Sequence, residues 1–381
     1  MTVRDDRGDV KQTTTGFRGP LMVQSLTSAK SKFLSLFKKI QLKNHLRKVK
    51  KNPSIEENYK IPISFITHID LEPIAACNLK CSFCQVPGWQ RAKSTSALSL
   101  NLFNEILDQL PGLISVKLQG MGEPLINPKL AEMIKACSER NLYTSITSNG
   151  TLLNEKKSQA ILEAGLSNLV FSIDGAKKDT YEKAREGANF DMVKKNIKEL
   201  TSIRNKNNHK TTIRIDCLAS NQNIFEEIPE LVHLSSDLGV DRLHIKARLK
   251  IWEKKTSEFK NEEHFNVKEN IYLDEMKNYK KVTDLAKKNA EKRSIKLTMG
   301  SLDDDVYSFE KPCMWPWTSM FIGTDGKIVP CCVVGVPETW NMGDITVQSI
   351  NQIWNNDSYL NLRKNLIRGD IPDTCKPCYG N

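Results

Sequence analysis

Between residue 64 and about residue 250, short apolar runs alternate with longer segments in which apolar residues return every three or four positions, and the alternation repeats six times. The short runs predict strands at Phe65–Leu71, Ile114–Leu118, Tyr143–Thr147, Leu169–Ile173, Thr212–Leu218 and Arg242–Ala247. The longer segments predict helices; in Pro128–Glu139 the spacing sets Leu130, Met133, Ile134 and Cys137 on one face. Strand–helix alternation builds a parallel sheet with helices outside it, which makes the fold class α/β. In such folds the chemistry sits at the carboxyl ends of the strands.

The flanks read differently. Residues 1 to about 26 are polar, with Thr13-Thr14-Thr15 and Gly19-Pro20, and are expected to be disordered or loosely attached. From Ser28 to Lys51, Phe33, Leu36, Phe37, Ile40 and Leu46 recur among lysines as in a basic amphipathic helix. Such a helix either touches a membrane surface or acidic partner, or packs its apolar stripe on the protein and leaves its lysines in water. The short stripe without an interfacial Trp favours packing, and peripheral membrane contact through residues 28–51 is the less favoured expectation. From about 251 to 292 the composition turns charged and helical, as a bridge does. The expected organisation is an N-terminal extension (1–60), a core (61–250), a helical bridge (251–304) and a C-terminal domain (305–381), with no solenoid repeat.

Charge changes this picture less than its size suggests. The net charge is +11, and residues 10–55 hold eleven Lys and Arg and no acid, so the rest of the chain is balanced. No aromatic or glycine-rich recognition module accompanies those cations, so no nucleic-acid partner is expected. No run of 18 apolar residues and no secretory signal pattern is present, and the protein is expected in the cytoplasm. In that compartment ten cysteines, several in tight groups, read as metal ligands rather than disulfides.

The tightest group is Cys77, Cys81 and Cys84, directly after the first predicted strand. Converging thiolates select soft metals, and three of them without a fourth Cys or His nearby leave a coordination position open. With Phe83 before the third cysteine, this C-x3-C-x2-C loop resembles the hallmark of the radical S-adenosylmethionine (SAM) enzymes. The resemblance implies a partial (β/α)6 TIM-like barrel and a [4Fe–4S] cluster on Cys77, Cys81 and Cys84 whose fourth iron chelates SAM. It also implies an electron from a flavodoxin or ferredoxin, and a 5′-deoxyadenosyl radical that takes hydrogen from substrate.

Further motifs extend the resemblance. Gly120-Met121-Gly122-Glu123-Pro124 is similar to the family's Gly-Gly-Glu-Pro element, departing at Met121, and implies that Gly120, Gly122, Glu123 and Pro124 bind the amino group of SAM. Glycines there would let backbone approach the ligand, and a carboxylate complements an ammonium. Ser148 and Asn149, after the third strand, and Ser172 and Asp174, after the fourth, match positions that hold the ribose and carboxylate, with Tyr181 and Arg185 completing the second pattern. Cys137 and Cys217 read as core, and His68 and His244 as core or pocket residues.

A second constellation, Cys313, Cys331, Cys375 and Cys378, surrounds the turn Asp325-Gly326 and closes on Cys-x-Pro-Cys. This order resembles the SPASM region in its shortened, twitch form, known from the dehydrogenase of 2-deoxy-scyllo-inosamine. It implies a small α+β domain with one auxiliary [4Fe–4S] cluster on four cysteines. Cys332 is spare, Cys331 being chosen because it follows the Gly326-x-x-x-Pro330 turn directly; a four-cysteine zinc site is the structural alternative. An auxiliary cluster offers an electron exit, so the expected reaction is oxidation of an alcohol carbon in a small-molecule substrate, a sugar or aminocyclitol. The competing expectations are a maturase acting on a peptide or protein, and a zinc-stabilised interaction protein. Arg214, Lys246 and Arg248 fall on or just past late strands, and no catalytic base is identified.

Overall fold

The computed structural model describes residues 3–4, 10–11, 29–84, 96–219, 221–246, 277–300, 307, 312–332, 334 and 340–379. Strand β1 (Val3–Arg4) pairs antiparallel with β2 (Val10–Lys11), a short ladder within the stretch expected to be loose. Helix α1 (Ala29–Lys51) follows. The predicted alternation then appears as β3 (His68–Leu71), β4 (Ser115–Leu118), β5 (Tyr143–Ser148), β6 (Asn168–Ser172), β7 (Thr212–Leu218) and β8 (Arg242–Lys246). They lie side by side in chain order, each parallel to the next. Crossover helices include α2 (Leu100–Asp108), α3 (Leu130–Glu139), α4 (Glu155–Glu163), α5 (Lys178–Ala184), α6 (Phe190–Lys206), α7 (Gln222–Glu226) and α8 (Ile228–Asp237). Ser99, Asn154 and Asn189 cap α2, α4 and α6 by accepting from Leu102, Lys157 and Met192 backbone N–H groups, each worth about 1 kcal/mol.

Two predicted starts move by more than one residue. The first strand begins at His68, because Pro62 opens a 3-10 turn whose carbonyl accepts the Phe65 N–H at 3.0 Å. Helix α3 begins at Leu130, after Asn127 Oδ1 has taken the Lys129 N–H at 2.8 Å. The sheet also has more strands than the six predicted. After helix α9 (Tyr279–Lys292), β9 (Lys296–Met299) adds parallel to β8. At the other edge, helix α10 (Trp315–Thr318) leads into β10 (Ser319–Ile322), parallel to β3, and then antiparallel β11 (Lys327–Val329) and β12 (Gly343–Asp344). The order is β12-β11-β10-β3-β4-β5-β6-β7-β8-β9, an open, mostly parallel sheet in the manner of a partial barrel. Residues 251–276 of the expected bridge, Ala247 and Arg248 lie outside the described residues.

The strands alternate as a barrel wall does. On β7, Ile213, Ile215 and Cys217 are fully buried toward the helices, while Arg214 and Asp216 share the other face, in register with Arg242 and His244 of β8. Cys137 is likewise buried under α3, where Met133 and Ile134 also are. Full burial of each such side chain contributes roughly 1.5–3 kcal/mol. Two last helices, α11 (Ile350–Trp354) and α12 (Asp357–Arg368), clamp the N-terminal segment to the C-terminal part. Arg363 does this as a fully buried cation: it donates to the Tyr59 carbonyl (3.1 Å) and the Pro316 carbonyl (2.8 Å) and lies 4.4 Å from the Trp354 ring centroid. Burial without a carboxylate lowers its pKa to about 9. No helix among the described residues is long and apolar enough to cross a membrane.

Candidate active site

The thiol loop leaves the carboxyl end of β3 and is clamped from two sides. On one side the Glu123 N–H donates to the Ala76 carbonyl at 2.9 Å. On the other, the Lys80 and Ser82 N–H groups donate to the carbonyls of Glu186 (3.0 Å) and Ala184 (3.1 Å). Gly122 makes the first clamp possible: a Cβ there would fall 2.3 Å from the Ile74 carbonyl oxygen and 2.4 Å from that of Ala76. At Gly120 a Cβ would fall 2.2 Å from the Glu72 side chain, whose Oε1 accepts the Met121 N–H at 2.9 Å. The close approach expected between glycine and ligand is thus used for glycine and the thiol loop itself.

Glu123 is 3% exposed and already engaged. Its Oε1 accepts from Ser148 Oγ (2.8 Å) and the Leu125 N–H (3.1 Å), and its Oε2 from the Asn149 N–H (2.8 Å). Burial still pushes its carboxyl pKa up, against those three donors. A carboxylate offers about four acceptor positions, so about one remains for an ammonium. Pro124 opens the 3-10 turn that Glu123 caps. Asn149 donates to Asn78 Oδ1 (3.0 Å) and accepts from Thr151 Oγ1 (2.6 Å), while Asn78 donates to that same hydroxyl (2.8 Å). Asn149 is therefore a brace for the thiol loop. Of its partners, Asn78 lies inside the thiol motif and Thr151 two residues past Asn149, and neither carried a signal of its own.

Asp174 is likewise not aimed at open space. It is 1% exposed, accepts the Leu218 N–H at 2.6 Å and pairs with Arg185 Nη2 at 2.5 Å. Arg185 in turn reaches Cys81 Sγ at 3.7 Å and covers the Phe83 ring at 5.5 Å. Burial works against the guanidinium charge, and Asp174, with Cys81 and Tyr181, more than restores it. The aromatic residue before the third cysteine is thus a platform for Arg185. Tyr181, fully buried, packs on Phe190 at 4.9 Å. Glu227 closes the turn after Gly175 (φ 144°) by accepting from Ala176 N–H (2.7 Å), Lys177 N–H (3.0 Å) and Thr180 Oγ1 (2.6 Å). It stands about fifty residues from that turn and no sequence pattern pointed to it.

The barrel's inner face is charged. Ser172, at the end of β6, is in register with Asp216. Asp216 holds Arg214 (Nε–Oδ1 2.5 Å) and Lys246 (3.1 Å); burial pushes its pKa up, but Lys246, Arg214 and His244 outweigh that and hold it at about 2. Across the barrel, buried His68 bridges Asp70 (2.7 Å) and Ser115 (2.9 Å), and Asp70 pairs in register with Lys117.

The thiols fit iron–sulfur chemistry. Burial raises Cys77 and Cys81, with Arg185 opposing at Cys81, so these sulfurs need a metal's charge to stand as thiolates. Cys331 is raised by burial and then by Cys313, Cys378 and Cys375, which places the four within one another's field. After burial, the neighbouring Cys332 feels Asp70 first, then Cys331, Lys117 and Cys378. The two adjacent thiols thus differ in emphasis: Cys331 is influenced by the other three cysteines, and Cys332 by Asp70 ahead of Cys331 and Cys378. Tyr379 accepts the Cys313 N–H at 3.0 Å, and the Tyr307 N–H donates to the Cys378 carbonyl at 2.9 Å. Four thiols within one another's field suit a polynuclear cluster, in which each sulfur meets its own iron.

Comparison with known proteins agrees. The radical SAM superfamily model matches residues 71–233, and the SPASM iron–sulfur cluster-binding domain matches residues 313–379. The tungsten-containing aldehyde ferredoxin oxidoreductase cofactor-modifying protein of Pyrococcus furiosus is 24% identical over 314 residues, 77% of this chain and 82% of that protein. The PqqA peptide cyclase of Bradyrhizobium diazoefficiens is 23% identical over 337 residues, 87% of this chain and 82% of its own. Among solved structures, Streptococcus suis SuiB bound to precursor peptide SuiA shares the fold with a TM-score of 0.62 at 20% identity, covering 84% of this chain and 70% of that one.

Proposed function

The chain belongs to the radical SAM superfamily and carries a SPASM iron–sulfur domain, and from that premise we propose that it is a maturase that modifies a peptide or protein side chain. Its cofactors are SAM, a SAM-binding [4Fe–4S] cluster and an auxiliary cluster. The likeness to PqqA peptide cyclase across 87% of this chain and 82% of that enzyme carries this reading. It favours a peptide over the sugar or aminocyclitol expected from the cysteine count, and side-chain modification over dehydrogenation. The cysteine count was weak ground, because a single electron exit serves any reaction that leaves a substrate radical to be oxidised.

SAM on the first cluster supplies a 5′-deoxyadenosyl radical that abstracts hydrogen from substrate. Cys77, Cys81 and Cys84 would hold that cluster, and Cys313, Cys331, Cys375 and Cys378 the auxiliary one. Arg185 steadies Cys81 and Phe83, and Glu123 keeps Ser148 and Asn149 in place with about one acceptor position left for the SAM ammonium. Asp216, bound to two cations, shapes the inner wall. Asp70, oriented by His68 and close enough to raise Cys332, is the carboxylate placed to accept a proton. A flavodoxin or ferredoxin supplies the electron.

The test offers the anaerobically reconstituted enzyme a synthetic peptide pool and, separately, a panel of sugars and aminocyclitols. Peptide-stimulated 5′-deoxyadenosine formation with a mass change in a peptide is expected. Oxidation of a sugar or aminocyclitol with every peptide inert would overturn the reading.

A further inference from the structure

Seven large apolar side chains stand exposed among the described residues, and three of them, Leu36 (58%), Phe37 (49%) and Ile40 (52%), lie within one turn and a half of α1. Their positions put them on one face of the helix. That face is not free to turn inward. Leu42, Leu46 and Val49, on the opposite side, are buried, and Lys38 Nζ donates to the carbonyls of Gly112 (2.9 Å) and Ser64. The stripe expected from the sequence is therefore split: Leu46 packs on the protein with Leu42 and Val49, while Leu36, Phe37 and Ile40 point away.

The same outward face continues as Lys43, Arg47 and Lys51, all exposed, with Lys48 at its margin. No acidic residue occurs from Val10 to Ile55. One side of a pinned helix thus reads apolar at its first half and cationic at its second. A bilayer interface complements this pattern, because apolar side chains enter the acyl boundary while cations meet anionic headgroups. We propose that α1 docks the enzyme on an anionic membrane surface through Leu36, Phe37 and Ile40, with Lys43, Arg47 and Lys51 on the headgroups.

The position of α1 fits that role better than docking of an acidic electron donor. Ser64 and Gly112, which Lys38 holds, precede β3 and β4, so α1 lies where the strands begin. The thiol loop follows the other end of β3, about 13 Å of strand away. A surface held by α1 leaves the substrate end open, whereas an electron donor seated there would be on the wrong side of the barrel.

Full-length protein floated with phosphatidylcholine vesicles containing phosphatidylglycerol tests this. Wild type is expected to co-float, less so with phosphatidylcholine alone and less as salt rises. The Leu36→Glu/Phe37→Glu/Ile40→Glu variant should lose at least about tenfold in partitioning, with iron content and SAM cleavage unchanged. Lys43→Glu/Arg47→Glu/Lys51→Glu should abolish the preference for anionic vesicles. Absence of wild-type binding would overturn the proposal, as would binding that survives the apolar substitutions. So would a wild-type dimer that those substitutions dissociate, since the face would then belong to a second copy.

Discussion

The two thiol constellations are built by opposite means. Cys77, Cys81 and Cys84 sit in one short loop, braced by charged and amide side chains: Asp174, Glu123 and Asn149 near strand ends, Arg185 after α5, and Asn78 within the loop. Cys313, Cys331 and the Cys375/Cys378 pair come from three places in the C-terminal region and are gathered by backbone and tyrosines. A guanidinium bears on Cys81, whereas Cys331 is raised by burial and by three sibling thiols with only the Val334 N–H in opposition. The first loop is set among polar groups with capacity left for a ligand. The second is a closed set in which the sulfurs themselves are the main charges. The polar surroundings of the first set and the sulfur-dominated surroundings of the second thus accompany the difference in their number of thiols.

The largest test of this difference removes each set separately. Cys77→Ala/Cys81→Ala/Cys84→Ala should lower reconstituted iron from about eight to about four per chain and abolish SAM cleavage. Cys313→Ala/Cys375→Ala should also lose about four irons, yet continue to form 5′-deoxyadenosine without modified product. Loss of SAM cleavage in both would show the two sites to be one cooperative unit and end the comparison.

Next in size is the brace. Asp174→Asn leaves Arg185 buried beside Cys81 without its carboxylate, and breaking a buried pair this way costs about 3–5 kcal/mol. Denaturant unfolding should show that loss, and iron retention should fall at the first site while the auxiliary iron stays. A variant as stable as wild type would mean that Arg185 finds another anion.

The strands β3 to β8 could be read directly, because core alternation is a local signal, and the spacing that marks the two cysteine groups is equally local. The additional strands could not. Lys296 and Thr298 alternate with Leu297 and Met299 on an edge strand too short to stand out from charged surroundings, and Ser319–Ile322 is buried at every position because both of its faces are covered. The side chains that close loops were equally hidden. Glu227 serves backbone N–H groups about fifty residues away, and Arg363 is a cation in a core of Trp317, Trp354 and Tyr359, where composition predicts none. Spacing located Glu123, Asn149 and Asp174, but which partners occupy them depends on how the strand ends meet.

A smaller effect is expected on the barrel wall, away from both thiol sets. Asp216 titrates at about 2 when folded, below its ordinary value of 3.8, because Lys246 and Arg214 outweigh its burial. A carboxyl depressed on folding contributes fully above about pH 4, and its contribution disappears as the pH falls toward about 2. With both cations partly in solvent, this amounts to about 2 kcal/mol at neutral pH. Asp216→Asn should therefore flatten the acid limb of the stability profile between about pH 4 and 2. An unchanged acid limb would assign the protonation step elsewhere.

The smallest expected effect separates two neighbouring thiols. Cys331 is raised by three cysteines, while Cys332 is influenced after burial first by Asp70, from the strand that leads to the other site, and then by Cys331 and Cys378. Cys331→Ser should release about four irons, and Cys332→Ser none. The oxygen of the second variant would stand beside Asp70, the first charge that Cys332 feels. Its consequence should then appear in turnover, through the polar surroundings of Asp70 and Lys117, with both iron complements intact. Iron lost on Cys332→Ser and kept on Cys331→Ser would reverse the assignment, and would require the turn after Pro330 to rotate on cluster binding so that Cys332 becomes the ligand.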